Sequence, residues 1–161
     1  MTAIWDRSGD NLTGIDDDGV HRVATDEVDL MLVERGLRAY VHRVATGLGL
    51  DAAATYCEAA ERISAYIALD DRLPGWADQD AALVWDAEYG WAVSVETHPG
   101  EDLLILAYHG VPLVPRPAVV IAFATATLAN PPSVPETVSL ARPGTADQLC
   151  EQFLAYLPSR Q

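Results

Sequence analysis

Lysine is missing altogether from this chain, and all ten basic side chains are arginine. Arginine codons are GC-rich and lysine codons are not, so the imbalance points to a GC-rich genome and carries no chemistry. Cysteine is nearly as scarce. Cys57 and Cys150 do not make a disulfide framework and lack the close spacing of a metal knuckle. A reducing compartment, the cytoplasm, is the expectation. No apolar run approaches the ~18–20 residues needed to cross a membrane. The opening "MTAIWDRSGDNLTGIDDDG" has neither the basic start nor the apolar core of a signal peptide. Catalytic fingerprints are absent too: there is no G-x-S-x-G, no H-E-x-x-H, no phosphate-binding loop and no dinucleotide motif. No cofactor, metal or catalytic residue is therefore expected. A pocket built from scattered Tyr, Trp and His leaves no signature, so the enzyme question stays open, leaning to no.

What is present in excess is acid. Twenty-four Asp and Glu against ten arginines give a net charge of −14. Such a surface repels phosphate backbones and anionic lipids, which disfavours nucleic acid and membranes as partners. It would draw a basic protein partner, and solubility alone explains it equally well. Residues 1–30 hold eight of the acids against two arginines, with glycines at 9, 14 and 19 and few apolar anchors. Residues 1–24 therefore read as an acidic, disordered tail. "DDDG" at 16–19 lacks the alternating oxygen ligands and closing glutamate of a calcium loop.

Periodicity organises the remainder. From a cap at Thr25 or Asp26, the residues Leu30, Val33, Leu37, Tyr40, Val41, Val44 and Leu48 form one apolar stripe, a predicted amphipathic helix ended by Gly47 and Gly49. Arg35, Arg38, His42 and Arg43 make a basic patch on its other faces. Residues 52–62 fit either a helix or a strand, Thr55–Glu58, leading to a second strand over 63–69. Pro74-Gly75 marks a turn in the loop 70–80.

"LVWDAEYGWAVSVE" (83–96) is the most legible stretch. Ala81, Leu83 and Trp85 share one face of a strand; Trp91, Val93 and Val95 share one face of the next, with Ala92, Ser94 and Glu96 turned the other way. "DAEYG" is a hairpin loop, with Gly90 suited to positive φ. Trp85 and Trp91 then meet as a cross-strand pair that pins the register. A turn at 97–102 and a third, almost wholly apolar and therefore buried strand, 103–110, complete a meander. Pro117 opens a helix, apolar nearly all round and so expected to be buried against the sheet, which Asn130-Pro131-Pro132 stops. A Pro-rich linker, 131–144, leads to a C-terminal helix over 145–161, capped by Thr145 and Gln148, with Leu149, Phe153 and Tyr156 in its stripe. It packs either on its own domain (25–130) or on a partner.

The fold class is α+β: an antiparallel β-meander against an N-terminal amphipathic helix and a second apolar helix, with a further C-terminal helix. His98, before Pro99-Gly100, is a turn residue, and His109 is expected at the opposite end of its strand. Cys57 would act as a nucleophile only beside a base.

"GLRAYVHRVATGLG", "AYIALDDRLPG" and "LVWDAEYGWAVSVETHPGEDLLILAYHG" together resemble an actinobacterial family of small proteins filed as domain of unknown function 6292, over about residues 34 to 130. The "GW" of the hairpin followed by "ETHPGEDL" is the most specific part. The resemblance implies a taxon and a domain extent, and no activity. A looser, fold-level likeness to secretion-chaperone-like proteins implies a sheet or helix face that holds a partner. Two readings follow. The favoured one is a non-enzymatic binding or adaptor protein acting through protein–protein contact, self-associating as a homodimer through its apolar helices. The other is a small-molecule-binding protein or cofactor-free enzyme of specialised metabolism. In it, Tyr66, Trp85, Trp91 and Tyr108 line a pocket between sheet and helix.

Overall fold

A computed structural model describes residues 17–97, 102–136 and 146–159. Helix α1 spans Asp17–Gly47, and a single 3-10 turn (Ala52–Ala54) leads into strands β1 (Thr55–Ala59), β2 (Ile63–Leu69), β3 (Ala81–Asp86), β4 (Gly90–Glu96) and β5 (Leu103–Tyr108). Helices α2 (Pro117–Ala129) and α3 (Ala146–Leu154) follow. The five strands pair in chain order, every ladder antiparallel. This is the α+β meander that the alternation predicts. The tail up to residue 16, the turn residues 98–101, the linker from 137 to 144 and Thr145 of the predicted cap lie outside the described residues.

The ambiguous segment resolves as two strands, with Thr55–Ala59 paired to Ile63–Ile67. Asp51 caps the turn before them by accepting from the Ala53 N–H. Four expectations need correction. Helix α1 already includes Asp17, well before Thr25. The stripe position Leu30 is 44% exposed, so burial along α1 begins at Val33. Strand β5 is an edge strand with only Leu106 fully buried, not a central one. In α2, Val120, Ala124 and Thr127 alone are buried. Its outward positions are largely alanine and threonine, which expose little apolar area each, so a uniformly apolar helix can keep one side in water.

The helices all lie on one face of the sheet. Val33, Leu37, Tyr40, Val41 and Val44 of α1 are buried with Ile67, Leu83, Trp85, Trp91 and Val93 of the strands in one core. Helix α3 packs on its own domain: Leu149 and Phe153 join that core, and the Phe153 ring sits edge-on to Trp85 at 5.2 Å between centroids. α3 reaches this depth because Gly36 of α1 has no side chain. A Cβ there would fall 2.7 Å from the carbonyl carbon of Phe153.

Candidate functional site

Of the four residues singled out from the sequence, Tyr66 and Trp85 line one concavity, and Trp91 and Tyr108 are not part of its lining. Trp85 and Trp91 are directly opposite each other in the β3–β4 ladder, as predicted. Asp86 Oδ1 accepts from the N–H groups of Glu88 (2.8 Å) and Tyr89 (2.7 Å), and Gly90 at φ 75° closes the hairpin between them. Both indoles point to the helical side and are at most 1% exposed. Their N–H groups are consumed inside the protein. Trp85 Nε1 donates to the carbonyl of Leu113 (2.7 Å), and Trp91 Nε1 donates to the Tyr40 hydroxyl (3.0 Å). That hydroxyl in turn donates to the Pro115 carbonyl, and burial holds it well above the ordinary tyrosine range. The tryptophans therefore anchor the connector 110–116 to the sheet and to α1.

Tyr66 and Tyr108 stand on the other face. In β2 the residues Ala65 and Ile67 turn inward, which sends Tyr66 outward opposite Val84. For Tyr108 the cause is a β-bulge. Leu104 pairs with Val95 on the inner face, but the register shifts between Val93 and Ser94, so Tyr108 pairs with Ala92 on the outer one. One inserted residue reverses the side on which the following residues fall.

The outer face is a concavity of about 680 Å³ whose lining includes Tyr56, Tyr66, Val84, Asp86, Tyr89 and Ile105. Beside it, the same face carries small residues. Ala82 lies midway between Tyr66 and Glu96 in the ladder, and the Tyr66 hydroxyl reaches over it to donate to Glu96 Oε1 at 2.9 Å. This bridge accounts for the burial of Ala82 and Ser94 on a face with no helix over it among the described residues. At the hairpin end of the face the Tyr89 and Tyr108 rings lie 6.0 Å apart, tilted by 49°, with Tyr89 lining the concavity and Tyr108 just outside its lining. Tyr89, Asp86 and Glu96 were not candidates from the sequence. The available signal was parity, since Val84, Asp86, Ser94 and Glu96 alternate with the buried tryptophan face.

Burial, and after it the Glu96 hydrogen bond, push the Tyr66 hydroxyl up to about 12. A folded value above the unfolded one means that this interaction supports folding below about pH 10 and loses that support as pH rises through the folded value. In an ultraviolet tyrosinate titration, the step near pH 12 should be missing in Tyr66→Phe and should move toward pH 10 in Glu96→Gln. An unchanged curve in Glu96→Gln would remove the bridge from the account.

Other candidates are scattered. The His109 ring meets Phe123 edge-on at 5.4 Å, and its buried Nδ1 has no hydrogen-bond partner among the described residues. His98 lies outside the described residues. Burial pushes the Cys57 thiol up to about 11, the wrong direction for a nucleophile at neutral pH. The basic patch on α1 is divided: Arg38 pairs with Glu34, and Arg43 lies 5.2 Å over the Tyr156 ring. Among the described residues no group of three His, Cys, Asp or Glu is placed to hold a metal. No helix there is long and apolar enough to cross a membrane.

The sequence profile of DUF6292, a family of unknown function, matches residues 40–126. The chain belongs to this family. The match to DUF6292 begins at Tyr40, the hub of the buried tryptophan network, and takes in all five strands and most of α2. Helix α3, which completes the core, lies beyond it. No curated protein and no solved structure matches the chain significantly.

Proposed function

We propose that this DUF6292 member is a binding module that engages a protein partner through the outer face of its sheet. The observation that carries this reading is the inequality of the two faces. Helices fill the inner one, whereas the outer one is an open concavity walled by tyrosines and aliphatic side chains, with Tyr56 63% exposed at its border. Tyrosine supplies large, amphipathic contact area with little side-chain freedom to lose, which is why it is enriched where proteins meet. Trp85, Trp91 and Phe153 are buried between the sheet and the helices, which supports the outer face over a site around the two indoles.

Val84 sits half-exposed in the middle of the face, between Tyr66 and Ala92. Val84→Glu should abolish capture of a partner from extract of the native cell, while Val119→Glu, on the exposed side of α2, should leave it intact. Both variants should keep cooperative melting. Equal capture by the two would sink the reading.

A further inference from the structure

Resting on that reading, we infer that the segment received by the outer face is cationic: an arginine-rich stretch of a partner protein, with one guanidinium seated on the Tyr89–Tyr108 pair beside Asp86. Three observations lead there. The first is charge. The concavity is bordered by Glu61, Asp86 and Glu88, opposed within it by Arg62 alone, and the whole chain carries −14. Arg72 is held by Asp80 at 2.8 Å. A concave acidic surface on an acidic chain steers cations toward it.

The second is the geometry of the ring pair. At 6.0 Å and 49° the Tyr89 and Tyr108 rings are tilted rather than stacked. A planar cation laid on a ring face gains from the ring quadrupole, and guanidinium adds stacking and forked donors that suit a neighbouring carboxylate. Asp86 offers that carboxylate. Its Oδ1 is committed to the turn N–H groups, and its Oδ2 accepts no hydrogen bond among the described residues.

The third is the electrostatic environment of both rings. The Tyr89 hydroxyl is raised first by Glu88, and the Tyr108 hydroxyl by burial and then by Asp86 and Glu136. Glu136 is held in place because its Oε2 accepts from the Tyr108 N–H. Carboxylates thus flank the pair from the hairpin and from the segment after α2. A second copy of this chain would bring the same acidic face and the same net charge, which argues against self-association here.

The test is fluorescence anisotropy on the full chain with three labelled synthetic peptides: one alternating arginine with leucine, and two in which glutamine or glutamate replaces every arginine. The arginine peptide should bind, with affinity falling steeply as salt rises. Asp86→Asn keeps the turn acceptor and removes the charge, and should weaken binding about threefold. Tyr89→Ala, at the exposed hairpin, should weaken it about fivefold. Equal binding of the glutamine peptide would overturn the cationic inference and leave the outer-face reading standing. Arginine-peptide binding unaltered by both variants would mean diffuse attraction to an acidic surface, and would overturn the inference, as would silence from all three peptides. Failure of the outer-face reading itself shows separately, in the Val84→Glu capture.

Discussion

Trp91→Ala is expected to lower the unfolding free energy by about 3–5 kcal/mol, the range for truncating a large buried aromatic. The indole is fully buried, and it does two jobs at once. It fills the centre of the core against Tyr40, 6.0 Å away between ring centroids, and it satisfies a buried hydrogen-bond chain through Tyr40 to Pro115. A single domain has only ~5–15 kcal/mol in total. The melting temperature of a chain this size should fall by roughly 10–15 °C. Denaturant and thermal melts check the size. A double-mutant cycle separates the two jobs. Tyr40→Phe strands both the Trp91 donor and the Pro115 acceptor, costing roughly 2–4 kcal/mol. In a Trp91→Phe background it strands only the acceptor, so the penalty should shrink by about 1 kcal/mol. Additive costs would show that the chain of hydrogen bonds does not act as a unit.

Gly36→Ala should undock α3 while leaving the sheet intact. A helix interior normally gains ~1 kcal/mol from this exchange. Here the added methyl meets backbone, the Phe153 carbonyl, which cannot rotate aside as a side-chain tip can. The collision is relieved only if α3 moves, and the cost is then capped by what its docking contributes. Exposing Phe153 and Leu149 forfeits about 1.5–3 kcal/mol each, offset by the freedom the segment regains. A net loss of about 2–4 kcal/mol is expected. Tryptophan emission should shift to longer wavelength as Trp85 loses its edge contact with Phe153. Limited proteolysis should trim the C-terminus before it attacks the domain. Unchanged emission with wild-type stability would show that the helices part at Gly36 without consequence.

The hairpin was legible in the sequence because three signals agreed there: partial alternation, a turn closed by glycine, and paired tryptophans. The same agreement made the turn at Pro74-Gly75 readable, and Trp76 N–H indeed bonds back to Leu73 O at 2.9 Å. The distribution of the candidate site over two faces was not legible. Parity within β2 already turns Tyr66 away from Ile67, but whether that is toward Trp85 or away from it depends on the pairing register, which is a tertiary fact. Tyr108 is the harder case. Counting by twos along "LLILAY" puts it with Leu104 and Leu106, and only the bulge opposite Val93 and Ser94 moves it out. The docking of α3 was equally hidden. Its stripe of Leu149 and Phe153 calls for a partner surface, and nothing local says that the surface is the notch at Gly36.

Strand order that equals chain order has a consequence for how this molecule assembles. Each ladder joins neighbours in sequence, so closing it costs little chain entropy, and the meander can zip from its hairpin outward. The contacts that seal the core span far greater separations: Tyr40 to Pro115, Trp91 to Tyr40, Gly36 to Phe153. These cannot form until chain ends that start far apart have met. Closing the helices over the sheet therefore carries the larger loop-closure entropy. Without docked α3 the inner side of the sheet lacks the Phe153 ring that covers Trp85 edge-on.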